Sequence, residues 1–108
     1  MIANFLVIGL LLVVAISDTA IVTYHLYKST DALTTVACSD GANGIMSWGY
    51  RNISALFPYV TAWQSVAWNS PQCGSCVKMT YGGKFVYVTV IDRCEMINPA
   101  YSHFDMSK

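Results

Sequence analysis

The stretch that most restricts how this chain can fold is Val77-Lys-Met-Thr-Tyr81, Gly82-Gly83, Lys84-Phe-Val-Tyr-Val-Thr-Val-Ile91. Two β-prone runs flank a Gly-Gly pair, and glycines supply the positive φ that a two-residue hairpin turn demands. Such a turn fixes the register: Tyr81 faces Lys84, Met79 faces Val86 and Val77 faces Val88. Side chains alternate faces along a strand, so Val77, Met79, Val86, Val88 and Val90 share one apolar face, the natural core face. Asp92 continues that row at its end. A carboxylate there reads either as an acceptor looking into a cleft mouth or as a partner for Arg93 or a turn.

At 108 residues the chain holds one domain. Six Lys+Arg balance six Asp+Glu, so the net charge is zero. That argues against nucleic acid or an anionic membrane as the partner. Much of the hydrophobic content sits at the front, in the twelve-residue run Phe5–Ile16. It is too short to span a bilayer, which needs roughly 20 residues, and fits the apolar region of a secretory leader, about 7–15 residues long. The preceding residues carry no Lys or Arg. Small residues at Ala15 and Ser17 place cleavage after Ser17, giving a leader over 1–17 and a mature domain over 18–108; the alternative is an N-terminal anchor. Stable membrane insertion of the mature chain is not expected.

Four cysteines remain, Cys38, Cys73, Cys76 and Cys94. In a short secreted chain an even count reads as two disulfides, with three connectivities open. The Cys73-Gly-Ser-Cys76 spacing could instead suggest a redox or zinc motif. A strand-like run follows it where a redox motif has a helix, and no second cysteine pair or histidine pair supplies zinc ligands. Neither metal nor cofactor is expected.

Tyr24–Tyr27 and Leu33–Cys38 read as short strands, Ser39–Gly44 as a turn-rich loop, and Ile53–Phe57 as one helical turn ending at Pro58. Asn52-Ile-Ser54 is an N-glycosylation sequon. No nucleophile elbow, zinc-protease motif or phosphate-cradling glycine loop is present. The remaining acid candidates are Asp92 and Asp105, and two carboxylates are the minimum set for glycoside hydrolysis. Trp48, Tyr50, Trp63 and Trp68 suit the apolar faces of sugar rings, or simply a core.

At these residues the sequence resembles the cerato-platanin family of small secreted fungal proteins. The resemblance rests on Tyr24-His-Leu-Tyr27, on Leu33-Thr-Thr-Val-Ala-Cys-Ser-Asp-Gly-Ala-Asn-Gly44, on Phe57-Pro58, on Val66-Ala-Trp-Asn-Ser-Pro-Gln-Cys-Gly-Ser-Cys76, on Thr80-Tyr-Gly-Gly83 and on Val90-Ile-Asp92. It implies a mainly β fold, a six-stranded double-psi β-barrel with short helices, related to barwin and to the first domain of expansins. It also implies a secreted, non-enzymatic protein of the cell wall or extracellular space. Such a protein binds chitin-like N-acetylglucosamine oligomers or wall polysaccharides, loosens walls, and acts as an elicitor at plant surface receptors. Asp92, Asn69, Tyr24 and Tyr27 are then the carbohydrate-contacting residues, and Cys38 pairs with Cys73.

The family's Gly-Gly and Gly-Trp pairs are replaced by Thr61-Ala62 and Ala67-Trp68. Asp92-Arg-Cys94 and His103-Phe-Asp-Met-Ser107 instead resemble the expansin-type barrel, whose His-Phe-Asp motif carries an essential acid. Asp105 joins the site on that wider likeness. The related barrels continue past this point with a helix, a closing strand and another cysteine, so the chain reads as C-terminally truncated. Two other functions follow from the same likeness: an expansin-like or glycan-cleaving barrel using Asp92 and Asp105, and a barwin-like defence or inhibitor protein. On the hairpin register Cys76 lies opposite Thr89, five residues or roughly 16 Å of strand from Cys94, too far for a bond without a sharp bend. Cys94 stays open.

Overall fold

The computed structural model describes residues 2–7 and 16–108, with side chains from Asp18 onward. Residues 8–15, the greater part of the run read as a leader, lie outside the described residues. No described helix is long and apolar enough to cross a membrane.

The fold is mainly β with a few short helical turns. Its strands are β1 (Ile2–Val7), β2 (Ile16–His25), β3 (Val60–Trp63), β4 (Cys76–Tyr81), β5 (Lys84–Asp92) and β6 (Ser102–Ser107). Five of them form a mixed sheet in the order β2-β6-β3-β5-β4, and β1 pairs antiparallel with both β2 and β4. The β2–β6 and β3–β5 pairs are parallel, whereas β3–β6 and β4–β5 are antiparallel.

The β4–β5 hairpin has the register its turn dictates, with Tyr81 opposite Lys84, Met79 opposite Val86 and Val77 opposite Val88. Gly82 and Gly83 adopt φ of 59° and 77°, which glycine reaches without steric cost. Val77, Met79, Val88 and Val90 are buried. Around them pack Ala20 and Val22 of β2, Val60 of β3 and Phe104 of β6. Phe104 is fully buried and stacks on Trp63 with ring centroids 5.4 Å apart.

Two local expectations change. Leu33–Thr35 is a single 3-10 turn rather than part of a strand. The Thr35 hydroxyl donates to the Ala32 carbonyl at 2.6 Å, and such local bonding competes with a sheet ladder. The other concerns β5, whose alternation breaks at its end. Thr61 pairs with Val90 but Ala62 pairs with Asp92, so Ile91 is an extra, fully buried residue. This bulge takes Asp92 out of the inward valine row and sets it beside Ala62 of β3.

Long loops are tied down on the end of β5. The Cys38 amide donates to the Ile91 carbonyl, and the Gly74 amide to the Val90 carbonyl. The Cys38–Cys73 disulfide joins these two segments. The second disulfide expected from the cysteine count is not formed: Cys76 and Cys94 are free thiols. Cys76 begins β4 pointing to solvent, while the Cys94 thiol turns in to the His103 carbonyl at 3.4 Å.

Candidate functional site

The Ile91 bulge and the parallel β2–β6 pair together build one polar cleft. β2 contributes Thr23, Tyr24 and His25; β6 contributes His103 and Asp105; β5 contributes Asp92. Register makes this specific, because Thr23 lies directly beside Asp105, and Ala62 lies between Asp105 on one side and Asp92 on the other. Small Ala62 leaves the space between the two carboxylates open. The segment after β5, from Arg93 to Ile97, walls a cavity of about 450 Å³.

Asp92 is the most heavily bonded group of the cleft. Its Oδ1 accepts the backbone amides of Ala37 at 2.9 Å and Arg93 at 2.8 Å. Its Oδ2 accepts the Tyr27 hydroxyl at 3.0 Å. The carboxylate is therefore a clip between the loop before Cys38 and the end of β5, as well as an acceptor facing the cleft. Tyr27 is 9% exposed. Burial, reinforced by the Asp92 charge, holds its phenol above the usual tyrosine range, so it stays a hydrogen-bond donor. The His25 ring meets Tyr27 edge-on at 4.5 Å.

Asp105 is held from the β2 side, where the Thr23 hydroxyl lies 2.7 Å from its Oδ1. The same hydroxyl lies 2.7 Å from Nε2 of His103, whose Nδ1 sits 2.6 Å from the Glu95 carbonyl. His25 Nδ1 is 3.9 Å from Asp105 Oδ2. Burial, with Asp105 adding to it, pushes the Cys94 thiol up to about 12, so it remains protonated and unreactive at neutral pH.

Of the sequence-derived candidates, Asp92, Asp105, Tyr24 and Tyr27 share this cleft. Tyr24 is half exposed and also rims a separate apolar hollow floored by Val22, Met79 and Met106. Asn69 does not line the cleft. It adopts φ 58°, and its side-chain oxygen accepts the Asn43 amide at 3.0 Å, bracketing two loops. Nor do the four aromatics form one shelf. Trp63 belongs to the core, Trp68 donates to Asp40 at 2.6 Å on the surface, and Trp48 packs over Gly74. The Trp68 bond holds the Asp40 carboxyl below the usual carboxylate range. Asn52 is exposed in a tight turn, its side-chain oxygen accepting the Ser54 amide at 3.0 Å.

Thr23 and His103 were not legible as site residues. His103 stands two positions before Asp105 and so shares its strand face, a signal that was available. Thr23 comes from a parallel neighbour 82 residues away, and no local pattern announces that pairing.

Comparison with known proteins places this chain in a family. A heat-stable 19 kDa antigen of Coccidioides immitis is 44% identical over 64 residues, covering 56% of this chain and 44% of that protein. Cerato-platanin of Ceratocystis fimbriata f. sp. platani is 32% identical over 71 residues, covering 62% and 52%. The chain thus spans about half the length of these curated relatives. The crystal structure of cerato-platanin 3 from M. perniciosa superposes with a TM-score of 0.70 over 99% of this chain and 74% of that one, at 24% identity, which shows a shared fold. The cerato-platanin family model matches residues 20–105, from the second strand through the Asp105 carboxylate. The chain belongs to the cerato-platanin family.

Proposed function

We propose that this protein is a secreted, non-catalytic carbohydrate binder of the cell wall or extracellular space. Its ligand is a chitin-like N-acetylglucosamine oligomer or a related wall polysaccharide, and its biological effect is wall loosening and elicitation through plant surface receptors. The observation that carries the reading is the meeting of Asp92 and Asp105 in one open cleft, flanked by the Tyr24 ring and the Tyr27 phenol. Carboxylates accept sugar hydroxyls, and exposed rings cover the apolar sugar faces. A six-stranded double-psi barrel is the architecture that belongs to this reading, and the mixed β2-β6-β3-β5-β4 order, with its parallel β2–β6 and β3–β5 pairs, supports it.

Calorimetric titration with N-acetylglucosamine oligomers tests the proposal. Saturable binding is expected, and Asp105→Ala and Tyr24→Ala should each weaken it about tenfold, or about 1.4 kcal/mol. No heat of binding for any oligomer would sink it. Release of reducing ends would favour the glycan-cleaving alternative, for which the two carboxylates of one cleft are the specific support.

A further inference from the structure

The hydrogen bonds around His103 contain one acceptor too many for neutral imidazole and ionised carboxylate. His103 is 4% exposed, so its ring nitrogens take their partners from the protein, whereas the Asp105 side chain keeps 23% of its surface open. His103 Nδ1 faces the Glu95 carbonyl at 2.6 Å, and a carbonyl oxygen only accepts, so Nδ1 carries a hydrogen. A neutral ring then leaves Nε2 bare. Nε2 and Asp105 Oδ1 both lie 2.7 Å from the Thr23 hydroxyl oxygen, which has a single hydrogen to donate. One of these two short contacts would set lone pair against lone pair.

A single added proton removes the conflict in either of two ways. In one, an imidazolium Nε2–H donates to Thr23 Oγ1, and the Thr23 hydroxyl donates to the Asp105 carboxylate. In the other, a protonated Asp105 donates to Thr23 Oγ1, and the Thr23 hydroxyl donates to bare Nε2. The forms differ only by a shift of two hydrogens along the chain, and each leaves the trio neutral overall. We propose that His103, Thr23 and Asp105 hold one shared proton, and that this proton positions Asp105 in the cleft, with His103 and Thr23 as positioning residues.

Loss of the proton at higher pH breaks one of the 2.7 Å contacts and frees the Asp105 side chain to turn. The trio then gains a negative charge among groups that respond to it. His25 of β2 faces Asp105, Tyr27 and Asp92 lie across the cleft, and Arg93, Cys94 and Glu95 line the wall above. Among these, only Arg93 and a protonated His25 offset the added charge. The consequence for ligand rests on the carbohydrate reading; the shared proton does not.

Nuclear magnetic resonance of the full chain tests the proton itself, through the ring nitrogens of His103 and the carboxyl carbon of Asp105. Both are expected to report one common midpoint as pH rises. Thr23→Ser should preserve that coupling and Thr23→Val should split it into two. Asp105→Asn is the sharper variant. Its amide can donate to Thr23 Oγ1 while Thr23 donates to Nε2, completing the chain with no added proton, so protonation of His103 should move to lower pH than in the unaltered protein. Separate midpoints in the unaltered protein would overturn the proposal. So would a His103 midpoint that does not move in Asp105→Asn. Calorimetry with an N-acetylglucosamine hexamer then reads the consequence: affinity should fall about tenfold across the common midpoint, the loss of one charge-assisted hydrogen bond. Binding that ignores that midpoint would reject the positioning role. A failure to bind at any pH would reject the carbohydrate reading and leave the resonance result to decide the proton.

Discussion

Asp92 shows how a single residue can serve the fold and the cleft together. Its two oxygens accept two backbone amides and a phenol, and hydrogen bonds to a charged acceptor contribute about 1.5–3 kcal/mol each. Asp92→Ala strands all three donors. Arg93 is exposed and its amide can turn to water, but Tyr27 is buried. The expected loss is about 2–3 kcal/mol of unfolding free energy. Asp92→Asn should lose only about 1 kcal/mol, because its oxygen can keep the amides and its NH2 can face the Tyr27 hydroxyl oxygen. Urea denaturation followed by circular dichroism measures both, and equal stabilities for Asp92→Ala and the unaltered chain would show that the clip carries no energy. The importance of Asp92 was visible in the sequence, because it ended an apolar row. The cause of its position was not. A bulge at Ile91 depends on pairing with β3, a strand whose partner lies about thirty residues away, and local alternation carries no trace of it.

At the scale of elements, what the sequence revealed was what is local. The Gly82-Gly83 turn fixes the β4–β5 register because two residues leave the strands no freedom to slip. The β2–β6 parallel pair, which makes the cleft, needs a long crossover and leaves no adjacent signature. The loops add a second layer of order through close approach of backbone to ring. Gly74 sits at φ 81°, and a Cβ there would lie 2.5 Å from Cζ2 of the Trp48 ring. Its amide also donates to Val90 next to the Ile91 bulge. Gly74→Ala combines an unfavourable backbone conformation with displacement of a bulky ring, so a loss of about 1–3 kcal/mol is expected. Thermal melting measures that loss, and tryptophan emission should shift red as Trp48 moves outward. An unchanged melting temperature with unchanged emission would mean that the loop relaxes at no cost.

For the whole molecule, the question is what the first seventeen residues do once the remainder has folded. Ile2–Val7 pairs along its length with β2 and also meets β4 from Asn4 to Val7. The bond after Ser17, where the leader reading places cleavage, falls within β2, opposite Leu6 and Phe5 of β1. Cleavage before folding would therefore remove β1 entirely and leave β2 and β4 each with an unpaired edge. Exposed edges recruit strands from other chains, and here they would lie beside Tyr24 and Tyr81, whose rings are 54% and 62% exposed. Residues 18–108 produced alone should retain the Cys38–Cys73 disulfide and the β4–β5 hairpin, but should elute as a concentration-dependent dimer or larger species. The 1–108 chain should elute as a monomer under the same conditions. Size-exclusion chromatography with light scattering across a dilution series distinguishes the two. A strictly monomeric 18–108 of unchanged melting temperature would show that β1 adds nothing to the sheet, and that the outer strands are protected by other means.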